Sequence, residues 1–331
     1  MRHKGGPRLL ATDREGALYL ERARIRVDGG RIVYHITDDE HHREYNIPHV
    51  NLAVLFMGQG TSITQDAMRL LGEEGVHLAV TGSGGSPMHM GALTTYTATR
   101  HFREMLPVYL EEPRSLAAAK AVMRDRSERM KKIGGAYARK YLKVRETNGL
   151  NRICIRLAED VAGVRDIQQL LGVEGQFSKA CYAEFSRMSG LDKHGKFRRD
   201  AGSEGKPDTK DPMRQVNHLI DHGNYLCYGM AGAALWALGI PPHMSIFHGK
   251  SRAGGLVFDL ADGFKDALVL PLAFASILSK RDDTPENTFR ARMIDAFDDR
   301  QILKEAIDTV NRMIAAGLPE RRPSGAGSSD A

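Results

Sequence analysis

Apolar and polar positions alternate through much of the first hundred residues, and most of the remaining chain has helical spacing. Residues 17–20 and 23–27 alternate, Asp28-Gly29-Gly30 supplies a turn, and residues 31–35 alternate again, which is the pattern of a β-hairpin. The short apolar runs 54–57 and 76–80 read as buried strands, with a short helix over 62–72 between them and a glycine-rich loop at 81–86. A helix opening at Pro113 puts Leu116, Ala119, Met123, Met130, Ile133 and Tyr137 on one stripe, and its other faces carry Lys120, Arg124, Arg126, Arg129, Lys131 and Arg139. Asp211-Pro212 starts another helix, with the aspartate as cap, that runs to the stop at Gly239-Ile-Pro-Pro242. The polar stretch 190–210 before it reads as a loop. These elements predict an α+β protein with a β-rich N-terminal domain (1–105), a larger all-α domain (106–318) and a disordered tail (319–331).

One helix breaks its own pattern. Across 167–181 the apolar positions recur at helical spacing, and Glu174 falls on their stripe rather than on the polar face. A buried carboxylate is costly without a partner, and a divalent cation is one of the few that repays the cost. Further on, Met244-Ser-Ile-Phe247 reads as a strand ending in His248, residues 249–255 as a turn, and Leu256-Val-Phe258 as a return strand. Asp259, Asp262 and Asp266 then share one face of a helix, where they repel unless a cation or arginines lie opposite. The plainer account is that Asp259 and Asp262 are first-turn acids, favoured by the helix dipole by roughly 0.3–1 kcal/mol each. A glutamate on a buried stripe, a strand-borne histidine and paired acids together point instead to a metal site, and an imidazole with carboxylates and no thiolate suits Mg²⁺ or Mn²⁺. Lys250 and Arg252 could hold adjacent phosphates, or be solvated loop cations. Asn217, Asp221, Asn224 and Tyr228 form a polar line along the 212 helix, either a solvated face or the wall of a cleft.

Composition narrows the class. The 331 residues are 42% hydrophobic and 27% charged, so a large core is available, and the formal charge of +6 favours polyanionic partners without requiring them. Cys154, Cys181 and Cys227 are far apart and fit neither a zinc site nor a disulfide framework, which suggests a reducing compartment, and Cys181 and Cys227 read as core residues. No apolar leader follows Met1 and no run reaches the roughly 20 residues that span a bilayer, so the expectation is a cytoplasmic protein with no membrane partner. Gly58-Gln-Gly60 lacks the lysine and spacing of a phosphate loop, and His41-His42 and Met88-His89-Met90 have no partners at ligand spacing.

Three segments resemble the CRISPR-associated integrase/endonuclease family of the adaptation module, which inserts new spacers into CRISPR arrays. They are Leu171-Gly-Val-Glu174-Gly, the helix from Asp211-Pro-Met-Arg-Gln-Val-Asn217 to Tyr228-Gly, and His248 to Asp262. His248 to Asp266, together with residues 53–62 and 81–85, resembles the subtype I-F branch. The resemblance spans about residues 15–315 and implies a β-sandwich-like N-terminal domain that dimerises, followed by a helical catalytic domain. It implies metal ligation by Glu174, His248 and Asp262, a supporting role for the catalytic acid Asp259, and a place beside DNA for Tyr228. Glu184 is the alternative acid should the motif be one helical stretch out of register.

It also implies a homodimer that binds protospacer and repeat DNA. A small ferredoxin-like partner, fused in subtype I-F to the interference helicase–nuclease, accompanies it. Phosphate contacts are expected from Lys250, Arg252, Arg198 and Arg199, in that order. The chemistry implied is transesterification of a phosphodiester, with nicking as its hydrolytic counterpart. Two other classes remain open on the residues alone, a catalytically inert architectural DNA-binding protein and a metal-dependent RNA nuclease.

Overall fold

The computed structural model describes residues 16–37, 43–81, 88–90, 99–200, 211–249, 254–279 and 283–318. The glycine-rich loop at 82–86, His41-His42, Lys250, Arg252 and the tail from Pro319 lie outside the described residues.

The expected hairpin forms from β2 (Ala23–Asp28) and β3 (Arg31–Ile36), with Asp28 opposite Arg31. Gly29 and Gly30 both have positive φ, +53° and +78°, as a two-residue turn of matching twist requires. β4 (Tyr45–Asn46) and β6 (Ser62–Ile63) complete a sheet of order β4-β3-β2-β6. A second sheet is built from β1 (Gly16–Leu20), β5 (Leu52–Met57), β7 (His77–Val80) and β8 (Met88–Met90), in that order. β1, β5 and β7 run parallel, with α1 (Gln65–Glu73) in the crossover from β5 to β7. This helix starts later than the apolar pattern suggests, because Thr64 caps it by accepting from the Ala67 N–H and Ser62–Ile63 pairs with β2 instead.

β5 is buried along its whole length. Leu55 and Met57 face the other sheet and α1, while Val54 and Phe56 face the helical part, so its unbroken apolar run reflects two covered faces. Phe56 packs on Phe297 and over Gly229, where a Cβ would stand 2.2 Å from the Phe56 ring. Glu21 pairs with Arg290 at 2.7 Å, adding a polar fastening between the sheet and the helices.

The rest is helical: α2 (Arg100–Leu110), α3 (Glu112–Arg129), α4 (Gly135–Tyr141), α5 (Asn148–Gly163), α6 (Ile167–Ser189), α7 (Pro212–Ala237), α8 (Gly255–Asp262), α9 (Lys265–Ser276), α10 (Pro285–Asp299) and α11 (Ile302–Gly317). A π turn over Met130–Gly134 joins α3 to α4. Asp166 caps α6, and Asp211 caps α7 as its sequence suggests. The three cysteines are buried and unpaired. None of the described helices is long and apolar enough to cross a membrane.

Two expectations fail. Residues 244–247 are irregular and 256–258 belong to α8, so there is no strand pair around His248. All eight residues of α8 are buried, and a short wholly apolar run reads the same whether strand or buried helix encloses it. Asp259 and Asp262 therefore lie in the middle and at the end of α8, not in a first turn, and Asp266 lies beyond the Gly263-Phe264 corner in α9.

Candidate metal centre

The site is organised from Asp259, whose side chain is fully buried. Its Oδ2 accepts from Ser245 Oγ at 3.0 Å and from the backbone N–H of Ile246 at 2.6 Å and Phe247 at 3.4 Å. Its Oδ1 accepts from the His248 N–H at 3.2 Å and from His248 Nδ1 at 2.7 Å. One carboxylate thus pins residues 245–248 to α8 and fixes the imidazole, placing the ring proton on Nδ1. The unprotonated Nε2 then faces Oδ2 of Asp262 at 3.3 Å.

Two lone-pair atoms facing each other in a buried site repel unless a cation or proton lies between them. Asp262 Oδ2 has no hydrogen-bond partner among the described residues, although its side chain is only 1% exposed. Two ligands at about 2.1 Å from one ion, at right angles, stand about 3.0 Å apart, so this pair fits a shared divalent cation. The charge balance agrees: Glu174, Asp259, Asp262 and Asp266 are met by Arg126 and Lys265, leaving two negative charges. The donor chemistry, one imidazole and carboxylate oxygens, suits Mg²⁺ or Mn²⁺.

Asp262 Oδ1 accepts from Lys265 Nζ. Burial pushes this carboxyl up, but Lys265 and Arg126 outweigh it, and Asp262 is held below the usual carboxylate range. Lys265 is pushed above the usual lysine range, because Asp262, Tyr228 and Asp266 overcome the effect of burial. Its Nζ lies 5.9 Å from the Tyr228 ring, which packs edge-on against Phe258 of α8 at 4.6 Å. Tyr228 therefore lines the same site from α7.

Glu174 enters from α6, half-buried, as its place on the apolar stripe suggests. Its Oε1 accepts from Arg126 Nη1 at 2.8 Å and from Ser178 Oγ at 2.9 Å. Burial and the nearby Asp262 charge push the Glu174 carboxyl up, while Arg126 and Lys265 bring it below its usual range. Among the described residues no three His, Cys, Asp or Glu side chains gather at ligating range. His248 and Asp262 meet, and Glu174 turns to Arg126.

The other expected residues are more scattered. Arg199 is tied to Asp221 and to Asn217, the latter at 3.0 Å, and fastens the segment before α7 onto that helix. Arg198 is exposed, and its carbonyl accepts from Asn217 Nδ2 at 3.0 Å. The first half of the polar line on α7 is thus a fastening strip, and its Tyr228 end reaches the site. Glu184 is paired with Arg187 at 2.7 Å and lies against Gly149, in the joint of α5 and α6.

Arg126 and Lys265 were not among the expected site residues. Arg126 had a signal: it lies three residues after Met123 and four before Met130, on the same buried stripe. Opposite charges on the buried stripes of two helices imply that they pair. Lys265 had no comparable signal, since its burial depends on the corner after α8.

The family model described as CRISPR associated protein Cas1 matches residues 18–307. The CRISPR-associated endonuclease Cas1 of Pseudomonas aeruginosa (strain UCBPP-PA14) is 35% identical over 324 residues, covering 91% of this chain and 93% of its own. That of Pectobacterium atrosepticum is 30% identical over 315 residues, with the same coverage. Among solved structures, a TtCas1–DNA complex superposes with a TM-score of 0.67 at 24% identity, covering 96% of this chain and 98% of its own. A casposase bound to integration product gives 0.68 at 16% identity, covering 95% and 96%.

Proposed function

The chain belongs to the Cas1 family of CRISPR-associated proteins, and from that premise we propose that it is a metal-dependent DNA endonuclease and integrase that inserts new spacers into a CRISPR array. The observation that carries the chemistry is the buried, unpartnered Asp262 Oδ2 facing His248 Nε2 at 3.3 Å, within a cluster two negative charges in excess. Relatives named as endonucleases, a relative of the same fold bound to DNA and another bound to an integration product support the same reading.

His248 and Asp262, joined by Glu174, would hold Mg²⁺ or Mn²⁺. Bound there, such an ion supplies Lewis-acid stabilisation of the charge that develops on a phosphodiester and its attacking or leaving oxygen. The protein's own part is orientation. Asp259 keeps the His248 proton on Nδ1, so Nε2 stays available as a ligand. Lys265 offsets the charge of Asp262, and Tyr228 borders the place where a sugar–phosphate strand would lie. A DNA 3′-OH attacking the phosphorus forms a new P–O bond as the old one to the leaving strand breaks. Water in its place gives a nick. Lys250, Arg252 and the exposed Arg198 are the candidate phosphate contacts, Arg199 being held by Asp221 and Asn217, so affinity should fall steeply with salt and depend little on sequence.

The assembly proposed is a homodimer through residues 1–105, with catalysis in 106–318, acting in the cytoplasm with a small ferredoxin-like partner. The subtype I-F assignment rests on the stretch from His248 to Asp266 and on residues 53–62 and 81–85. The test is integration of a short duplex into a supercoiled plasmid, with Mg²⁺ or Mn²⁺ and with or without the partner. Glu174→Ala, His248→Ala and Asp262→Ala should each abolish joining while DNA binding persists. Unchanged joining in all three would instead favour an architectural DNA-binding protein whose acids are structural, and a preference for RNA would point to a ribonuclease.

A further inference from the structure

Arg126 projects from α3 into the junction of α6 and α9, and its side chain is 2% exposed. Nε donates to Asp266 Oδ2 at 2.9 Å and Nη2 donates to the same oxygen. Nη1 donates to Glu174 Oε1 at 2.8 Å, and Nη2 reaches Ser178 Oγ at 2.8 Å. The guanidinium lies 5.2 Å from the Phe177 ring centroid, which closes one side. One permanently charged fork therefore joins two carboxylates on different helices.

The two grips are unequal. Asp266 is 5% exposed and receives two guanidinium N–H groups, whereas Glu174 is 20% exposed and receives one. Both bonds to Glu174, from Arg126 and Ser178, fall on Oε1, and among the described residues Oε2 makes none. Glutamate has three side-chain torsions and can turn while its helix stays still. The more exposed, singly held and longer carboxylate is the one free to change partners.

We propose that Arg126 is the positioning residue of this centre and its stand-in cation: anchored to Asp266, it holds Glu174 in the ion-free chain and releases that carboxylate to the divalent ion. This rests on the reading of the site as a metal centre. Before the ion arrives, the guanidinium offsets the repulsion between Glu174 and Asp262. On arrival, the ion's greater charge draws Glu174 away, and mutual repulsion of ion and guanidinium weakens the old contact. Arg126 remains on Asp266, which holds it close enough to take Glu174 back. The arrangement also explains why the described acids and histidine do not already form a three-ligand cage.

The test uses Mn²⁺ alone, with its free concentration read by electron paramagnetic resonance, and the ion-free melting temperature. It compares the unsubstituted chain, Arg126→Gln, Arg126→Lys and Arg126→Gln combined with Glu174→Gln. Loss of the competing internal charge should make Arg126→Gln bind Mn²⁺ about threefold or more tightly, while its ion-free melting temperature falls by about 5 °C or more because two buried carboxylates lose their partner. Arg126→Lys keeps the charge and should stay within about twofold of the unsubstituted affinity. Adding Glu174→Gln should cancel the tightening and restore part of the melting temperature. Arg126→Gln binding Mn²⁺ no more tightly than the unsubstituted chain overturns the proposal.

Should Arg126→Gln fail to fold, the unsubstituted chain decides by nuclear magnetic resonance of the Arg126 guanidinium, assigned by its absence in Arg126→Lys. Its Nη1 signal should shift on adding Mg²⁺, and an unmoved signal overturns the proposal. Neither measurement contains DNA, so failure to integrate DNA would leave this inference standing. Unchanged metal binding in an Arg126→Gln chain that still joins DNA would remove this inference alone, and no Mn²⁺ binding by the unsubstituted chain would remove both.

Discussion

Asp259 holds His248 twice, by the backbone N–H at 3.2 Å and by ring Nδ1 at 2.7 Å. The ring's orientation is therefore set by a buried acid rather than by the ring's own surroundings. Asp259→Asn keeps the size but turns an NH₂ toward donors that need acceptors, among them the Ile246 N–H at 2.6 Å. Loss of these charge-assisted bonds should cost about 3 kcal/mol in urea unfolding. On the proposed role of His248 as a ligand, metal affinity should fall about 10–100-fold, because the imidazole loses its orienting acid. Mn²⁺ titration of the folded variant checks the second effect separately from the first.

Arg129 ties the corner after Asp262 to the last helix. Its Nη1 donates to the Gly263 carbonyl at 3.0 Å, and Nη2 reaches Glu305 Oε2 at 2.7 Å and Thr309 Oγ1 at 2.9 Å. Arg129→Met should destabilise by about 3 kcal/mol, since it strands buried acceptors. Glu305→Gln, at a more exposed end of the same network, should cost under about 1 kcal/mol. Comparison of the two unfolding curves decides whether the buried carbonyl or the outer ion pair carries the stability.

Gly229 lies one residue from Tyr228 and directly under Phe56 of the N-terminal sheet. Gly229→Ala places a methyl 2.2 Å from the Phe56 ring, so that ring or α7 must shift. Overpacking of this kind costs about 1–3 kcal/mol. Phe56→Leu in the same chain should recover part of the loss in urea unfolding.

His222 reports on the seam between sheet and helices. Burial, then the neighbouring charges of Arg290 and His218, bring its pKa from 6.5 down to about 3. The folded chain thus keeps it neutral while the unfolded chain binds a proton below pH 6.5. Stability should fall as the pH drops from about 6 to 4, by roughly 1 kcal/mol per unit from this group. Urea unfolding of the unsubstituted chain and His222→Phe between pH 7 and 4 isolates that slope as the difference between them. Parallel curves for the two would refute it.

The hairpin at Gly29-Gly30, the buried run of β5, the Asp211 cap and the misplaced acid Glu174 were all legible in the sequence, because each is set by neighbours within a few residues. Arg126 was legible in principle, since it lies on the apolar stripe of α3. Its charge alone places it on a polar face, and only its spacing from Met123 and Met130 places it inside. The failure around His248 had a different cause: three or four apolar residues do not reveal which structure encloses them.

By itself, then, the sequence determined which segments are strand or helix over most of the chain, which acid is out of place on a buried face, and the motifs that point to the family. Only the tertiary structure decided that α8 is a helix, that Asp259 supports His248 from within it, and that Glu174 and Asp266 share one arginine. These depend on side chains from α3, α6, α8 and α9 meeting in a low-dielectric interior, where each buried charge must find a partner. Which partner it finds is a matter of packing between distant segments, and no local spacing encodes it.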